Sequence, residues 1–234
     1  QKLALRTGNR LPIESGRRRR RCGVDSPWSL GFRQAPLGVR VVSSLRSYPE
    51  WLHMAHELRR RLDYSDILAT PNDGKRYELV QGQLFVNPSP NPVHQRISRR
   101  LERQLEDYFH ERSIGEVFNA PIDVILTPND VLVPDLLVVA DPSHISKRGI
   151  EKPPLLVVEI LSPSTRKVDR GVKSRRYAEL GVKHYWIVDP ERKRVECYHL
   201  TEGAFRLVID AEGNTTIAHP DWEGLIVDLT ALWG

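Results

Sequence analysis

The sequence predicts an α/β domain, and three observations carry the prediction. Apolar residues at helical spacing alternate along the chain with short β-rich runs bounded by Pro, Gly and Asn-Asp turns. No internal repeat or second compositional domain is visible, and 234 residues leave room for one sizeable core. No run of about 18 apolar residues occurs, so no membrane-spanning helix is expected.

Charge divides the chain. Residues 1–50 hold 11 Lys and Arg against three Asp and Glu, whereas the remainder holds 24 against 27. The formal net charge of +5 therefore comes from the N-terminal segment, and the basic pI says nothing about the partners of the folded part. Residues 1–48 show no sustained period and contain Arg17-Arg18-Arg19-Arg20-Arg21, a like-charge block of the kind that stays poorly ordered. They read as a basic extension before a domain at residues 49–234; a nucleic-acid arm or an Arg-rich transit segment is the functional alternative. Cys22 and Cys197 stand far apart in unlike contexts, which points to no disulfide framework and to a reducing cytoplasm.

The elements follow in order. Trp51, Met54, Leu58 and Leu62 recur at helical spacing, and Thr70-Pro71-Asn72-Asp73-Gly74 has turn chemistry. Residues 77–86 read as a hairpin turning near Gln81-Gly82, ended by Pro88 and Pro90. Ile97, Leu101, Leu105 and Tyr108-Phe109 mark an amphipathic helix over about 93–111. Residues 116–118, 122–126, 131–140 and 155–161 read as strands. Ser162-Pro163-Ser164-Thr165 leads into a helix, capped by Thr165, that ends before Gly181. Residues 184–188 and 194–200 form a hairpin, and 205–209, 215–218 and 225–232 complete the chain.

Two acidic residues fall in runs that otherwise read as buried strand. Asp135 stands in Val131-Leu132-Val133-Pro134-Asp135-Leu136-Leu137, and Glu159 in Leu155-Leu156-Val157-Val158-Glu159-Ile160-Leu161. A buried carboxylate is costly unless it is paired, hydrogen-bonded or metal-bound, and a divalent cation between two of them removes their repulsion. On neighbouring strands the two would meet at one end of a sheet and offer oxygen ligands to a hard cation such as Mg²⁺. On the next helix Asp169, Lys173 and Tyr177 recur every four residues and share a face, from which Lys173 can reach a metal-bound water. A solvated Asp-Lys pair is the alternative. The hydroxyls of Ser162, Ser164 and Thr165 either cap the helix or hold a phosphate, and the sequence does not separate the two.

Taken in order, these residues resemble a family. Tyr77-Glu78-Leu79-Val80-Gln81-Gly82-Gln83, Pro88-Ser89-Pro90, His94, Val133-Pro134-Asp135, Val158-Glu159-Ile160-Leu161-Ser162-Pro163-Ser164-Thr165, Asp169, Lys173, Tyr177 and Gly181-Val182-Lys183-His184-Tyr185-Trp186-Ile187-Val188-Asp189-Pro190 are similar to the Uma-type restriction endonuclease family. That family lies within the PD-(D/E)xK nuclease superfamily and is common in cyanobacteria and other bacteria. The resemblance covers about residues 60–232. It implies a restriction-endonuclease-like fold of the α/β (α+β) kind, a central mixed sheet flanked by helices with a metal at one edge.

The resemblance also implies roles. Asp135 and Glu159 become the acidic pair. Leu161 stands where the superfamily consensus has lysine, so Lys173 on the following helix takes that place. Glu78 and the Ile160 backbone carbonyl join as ligands of Mg²⁺ or Mn²⁺, although Glu78 also reads as a surface strand carboxylate. His94 and Gln95, at the start of the first long helix, are accessory candidates with Asp169 and Tyr177. Asp123 and Asp189 read as structural residues and Trp186 as core. The implied activity is metal-dependent hydrolysis of DNA phosphodiester bonds, on duplex, with an exposed hairpin at 185–200 as a homodimer contact by analogy. An inactive nuclease-fold binding or assembly module is the alternative.

Overall fold

The computed structural model describes residues 60–234. The basic extension, Cys22 and the helical pattern at Trp51, Met54 and Leu58 lie outside those residues. Leu62, the last member of that pattern, is not helical and precedes a short helix α1 at Tyr64–Leu68, capped by Asp63.

Strands β1 (Arg76–Val80) and β2 (Gln83–Asn87) form the expected hairpin. Its turn residues Gln81 and Gly82 have φ of 53° and 76°, the paired left-handed conformation that matches strand twist in a two-residue loop. Helix α2 follows at Pro92–Phe109, with Pro92 in its first turn and the Asn91 side chain accepting the His94 amide at 2.9 Å.

The apolar run at 131–140 is not one strand. Its first part, β5 (Asp130–Leu132), joins a six-stranded sheet in the order β2-β1-β5-β4-β8-β7, where β4 is Val124–Thr127, β7 Ile145–Ser146 and β8 Gly149–Ile150. Its second part, β6 (Leu136–Val139), belongs to another six-stranded sheet in the order β12-β11-β10-β9-β6-β3. There β3 is Glu116–Asn119, β9 Leu156–Ile160, β10 His184–Asp189, β11 Arg194–Thr201 and β12 Ala204–Glu212. Pro134 has no N–H to donate to a ladder, so the chain leaves one sheet and enters the other across Val133-Pro134-Asp135.

The second sheet is mixed, with β9 and β10 parallel and its other pairings antiparallel. Every residue of β9 and β10 is buried, as continuous apolar strands covered on both faces must be. One face carries α2, whose Ile97, Leu101, Leu105 and Phe109 share a core with Val138, Val158 and Trp186. The other carries a helical segment α3, built from Arg166–Val168, a π-helical turn at Asp169–Lys173, and Ser174–Glu179. Tyr177 of α3 packs there with Val157, Tyr185 and Ile187.

Two expectations are corrected here, and a third run is resolved into its elements. Thr165 makes no side-chain cap to α3; its hydroxyl instead accepts the Ser162 amide at 3.3 Å. The 185–200 hairpin is fully exposed only at its turn, Glu191, Arg192 and Lys193, because β10 is interior to the sheet and β11 is covered along its far edge by β12. The closing run at 225–232 divides into β14 (Ile226–Asp228), paired with β13 (Thr216–Ala218), and helix α4 (Leu229–Trp233). Asp228 makes that division by accepting the Thr230 and Ala231 amides at 2.8 and 3.1 Å. Among the described residues no helix is long and apolar enough to cross a membrane.

Candidate active site

The handover at Pro134 sets the site. Strand β6 begins at Leu136, which pairs antiparallel with Val158, so one further step of the ladder brings Asp135 opposite Glu159. The Ile160 amide donates to Asp135 Oδ2 at 2.8 Å and fixes that register. Hairpin β1–β2 contributes Arg76 and Glu78, which share a face at two-residue spacing. Glu78 is fully buried and accepts the Val133 amide at 2.8 Å and the Asn87 side-chain amide, so it is not a surface strand carboxylate.

Lys173 closes the cluster from α3. Its Nζ lies 2.9 Å from Glu78 Oε1, 3.1 Å from Glu159 Oε1 and 3.4 Å from Asp169 Oδ1. The Tyr177 hydroxyl donates to the same Glu159 oxygen at 3.1 Å. The π-helical turn between Asp169 and Lys173 widens the helix at this point, and the Ser174 amide reaches back to the Asp169 carbonyl. The Tyr185 hydroxyl donates to that carbonyl as well, at 2.9 Å, and holds the turn against the sheet.

Asp135 is held by different partners. Arg76 Nη1 donates to Oδ1 at 2.7 Å, and His94 Nε2 stands 3.0 Å from Oδ2. His94 therefore contributes both its amide to the cap of α2 and its ring to the site. Gln95 next to it is exposed and lines a separate groove of about 500 Å³ with Arg96, Arg99, Glu102 and Asn119. The structure thus brings together Glu78, His94, Asp135, Glu159, Asp169, Lys173 and Tyr177, and leaves Gln95 outside. Ser162, Ser164 and Thr165 line a cavity of about 220 Å³ with Arg76 and His94, at the rim of the cluster. Ile160 meets the site through its amide. Asp189 is structural as expected, paired with Arg166 at 2.5 Å.

Arg76 is the residue that sequence reasoning missed. Its only signal is position, two residues before Glu78 on a predicted strand. Asp130, which accepts two bonds from Arg176 at 2.8 and 2.7 Å, was missed too and clamps α3 to the first sheet.

Four buried carboxylates (Glu78, Asp135, Glu159 and Asp169) face two permanent cations, Arg76 and Lys173. Burial alone would raise the Asp135 carboxyl, but His94 and Arg76 outweigh it and hold the group below the ordinary range. Burial pushes the Glu159 carboxyl well above that range, opposed only in part by Lys173 and reinforced by the neighbouring carboxylates. Burial works against the charge of Lys173, yet Glu159, Glu78 and Asp169 together keep its ammonium protonated. The surplus of carboxylates over cations is therefore relieved at Glu159, whose protonated form is favoured. An all-oxygen donor set, that surplus, and a buried Asp169 Oδ1 without a hydrogen-bond partner fit a hard divalent cation.

A mixed sheet flanked by helices, with carboxylates gathered where a strand enters it, defines a restriction-endonuclease-like protein. The chain belongs to the Uma2 family, described as "Putative restriction endonuclease", whose model matches residues 63–230. It is 27% identical over 142 residues to "Uncharacterized protein slr1290" of Synechocystis sp. (strain ATCC 27184 / PCC 6803 / Kazusa), covering 60% of this chain and 74% of that one. Its fold is also that of a crystal structure of "a putative nuclease belonging to DUF820" from Anabaena variabilis ATCC 29413. That likeness has a TM-score of 0.60 at 18% identity and covers 74% of this chain and 97% of the other.

Proposed function

We propose that this protein is a Mg²⁺- or Mn²⁺-dependent endonuclease that hydrolyses phosphodiester bonds in duplex DNA. The observation that carries the reading is the convergence of Asp135, Glu159, Glu78 and Lys173 on one buried cluster, in a chain of this family. Asp135, Glu159 and Glu78 would hold the cation, with the Ile160 carbonyl as a backbone donor. Such a cation supplies charge neutralisation at the phosphate and an acidified water.

The remaining roles belong to the chain itself. Lys173, held protonated among carboxylates, orients the attacking water and stabilises the charge that develops on the phosphoryl oxygens. Arg76 and His94 hold the Asp135 carboxylate in one orientation. The Ser162, Ser164 and Thr165 hydroxyls, beside Arg76 at the 220 Å³ cavity, offer contacts to the scissile phosphate. Exposed Arg96 and Arg99 on α2 line the adjacent groove, where they suit the flanking phosphates of a duplex. The free buried Cys197 suits a reducing cytoplasm.

The purified protein should nick or linearise plasmid DNA in Mg²⁺ or Mn²⁺, and Asp135→Ala and Glu159→Ala should each lower the rate at least ~100-fold. A folded wild-type protein that leaves duplex DNA intact across divalent metals would sink the reading. One observation favours a second reading, an inactive nuclease-fold binding or assembly module. Lys173 already bridges Glu78 and Glu159, and the consensus lysine position holds Leu161. Calorimetric titration with Mn²⁺ separates the two, since the module binds no metal at millimolar concentration.

A further inference from the structure

On the face of the second sheet opposite Glu159 lies another group of ligating side chains. In β10, His184 shares its face with Trp186 and Val188, whereas Glu159 lies beside Ile187 on the other. His219 and Asp221 come from the turn between β13 and β14, which the His219 amide closes by donating to the Leu225 carbonyl at 3.1 Å. One ligand atom from each of His184, His219 and Asp221 lies within 4.8 Å of the other two.

The polar atoms of this group are poorly satisfied. His184 is 5% exposed and His219 4%, yet His184 Nδ1 and His219 Nε2 have no hydrogen-bond partner. A buried polar atom left in that state destabilises the fold, because it has given up water and gained no partner. His184 Nδ1 lies 3.7 Å from Asp221 Oδ2, too far for a hydrogen bond. Two atoms bound to one tetrahedral cation at about 2.0–2.2 Å stand roughly 3.4 Å apart, so this pair closes to ligand spacing by a few tenths of an ångström. His199, the cross-strand partner of His184, places Nδ1 3.0 Å from the same Asp221 oxygen. Trp222 packs over both buried imidazoles, with centroids 4.1 Å from His184 and 4.3 Å from His219, and leaves Asp221 on the open side.

We propose that His184, His219 and Asp221 form a second metal site, which takes a zinc-class transition cation, with His199 orienting the Asp221 carboxylate from outside. Two imidazole nitrogens and one carboxylate suit Zn²⁺ and its neighbours, whereas Mg²⁺ requires oxygen. Burial keeps both imidazoles neutral near pH 7, in the form that donates a lone pair. Coordination through His219 Nε2 places the ring proton on Nδ1 and releases the 3.2 Å contact from the Asp221 amide. The bound cation joins the β13–β14 turn to the start of β10 and to β11, independently of any nuclease activity.

The test uses the full chain, stripped with chelator and titrated with Co²⁺ and Zn²⁺ without DNA. One equivalent of Co²⁺ should give visible d–d bands that Zn²⁺ abolishes and a large excess of Mg²⁺ does not, and Zn²⁺ should raise Tm. Asp221→Asn, at an exposed position where the fold is not at stake, should weaken Co²⁺ binding at least tenfold. His219→Gln should do the same, whereas Glu159→Gln should leave the bands unchanged. No bands, bands that survive both Asp221→Asn and His219→Gln, or bands lost in Glu159→Gln would each overturn the assignment.

Discussion

Lys173 keeps an ammonium within 3.4 Å of three buried carboxylates, so it serves the fold as well as any chemistry. Removing one partner of a buried charge network leaves the others uncompensated, at a cost of about 3–5 kcal/mol. Lys173→Met should therefore lower the unfolding free energy at pH 7 by that order, read by urea denaturation in chelator. Millimolar Mn²⁺ should recover part of the loss if the oxygens bind the cation; no recovery would count against a metal there. The sign of the pH effect follows from Glu159, whose carboxyl is raised by burial. It must lose its proton to bind a cation, so Mn²⁺ affinity should rise with pH and binding should release protons, read by calorimetry in buffers of different ionisation enthalpy. Asp135 and Glu159 were legible because a carboxylate inside an apolar run needs a reason. Arg76 was not, since its partner lies 59 residues away and a lone arginine at the start of a hairpin looks like any solvated one.

The elements were legible where periodicity was clean, as in α2, the β1–β2 hairpin and β9–β10. Two features were not. Pro134 splits an apolar run between two sheets, and composition cannot say which sheet each half joins, because both halves are buried. The π-helical turn at Asp169–Lys173 leaves no mark on hydrophobic spacing, yet it falls where Lys173 meets Glu78, Glu159 and Asp169. A π turn amounts to one extra residue in an α-helix. Deleting Gly171, where an added Cβ would meet nothing within 4 Å, should restore the regular helix and change where Lys173 stands relative to Asp169. The expected result is a folded protein by circular dichroism whose cleavage falls at least ~100-fold, as a misplaced reacting group does. Full activity in that variant would show that the π turn has no part in positioning Lys173.

At the scale of the molecule, the two faces of the second sheet respond to acid in opposite ways. On the α3 face the raised carboxyls of Glu159 and Asp169 bind protons more tightly folded than unfolded. Their contribution is present at low pH and is lost as pH rises through their folded values, unless a cation takes the proton's place. On the α2 face, burial lowers His184 and His219 from 6.5 to about 4. The unfolded chain then binds protons that the folded chain refuses between those values, so their contribution is present above about pH 6.5 and lost as pH falls towards 4. Asp135, held low by His94 and Arg76, is lost only further into acid. Between pH 6.5 and 4 the two faces therefore oppose one another in metal-free protein, and His219→Gln, which removes one of the two titrating rings, should make Tm fall less, or rise more, as the pH is lowered than it does in the wild type. An unchanged slope in His219→Gln would mean that its ring titrates alike in the folded and unfolded chains. Such a ring would be open to water rather than enclosed under Trp222.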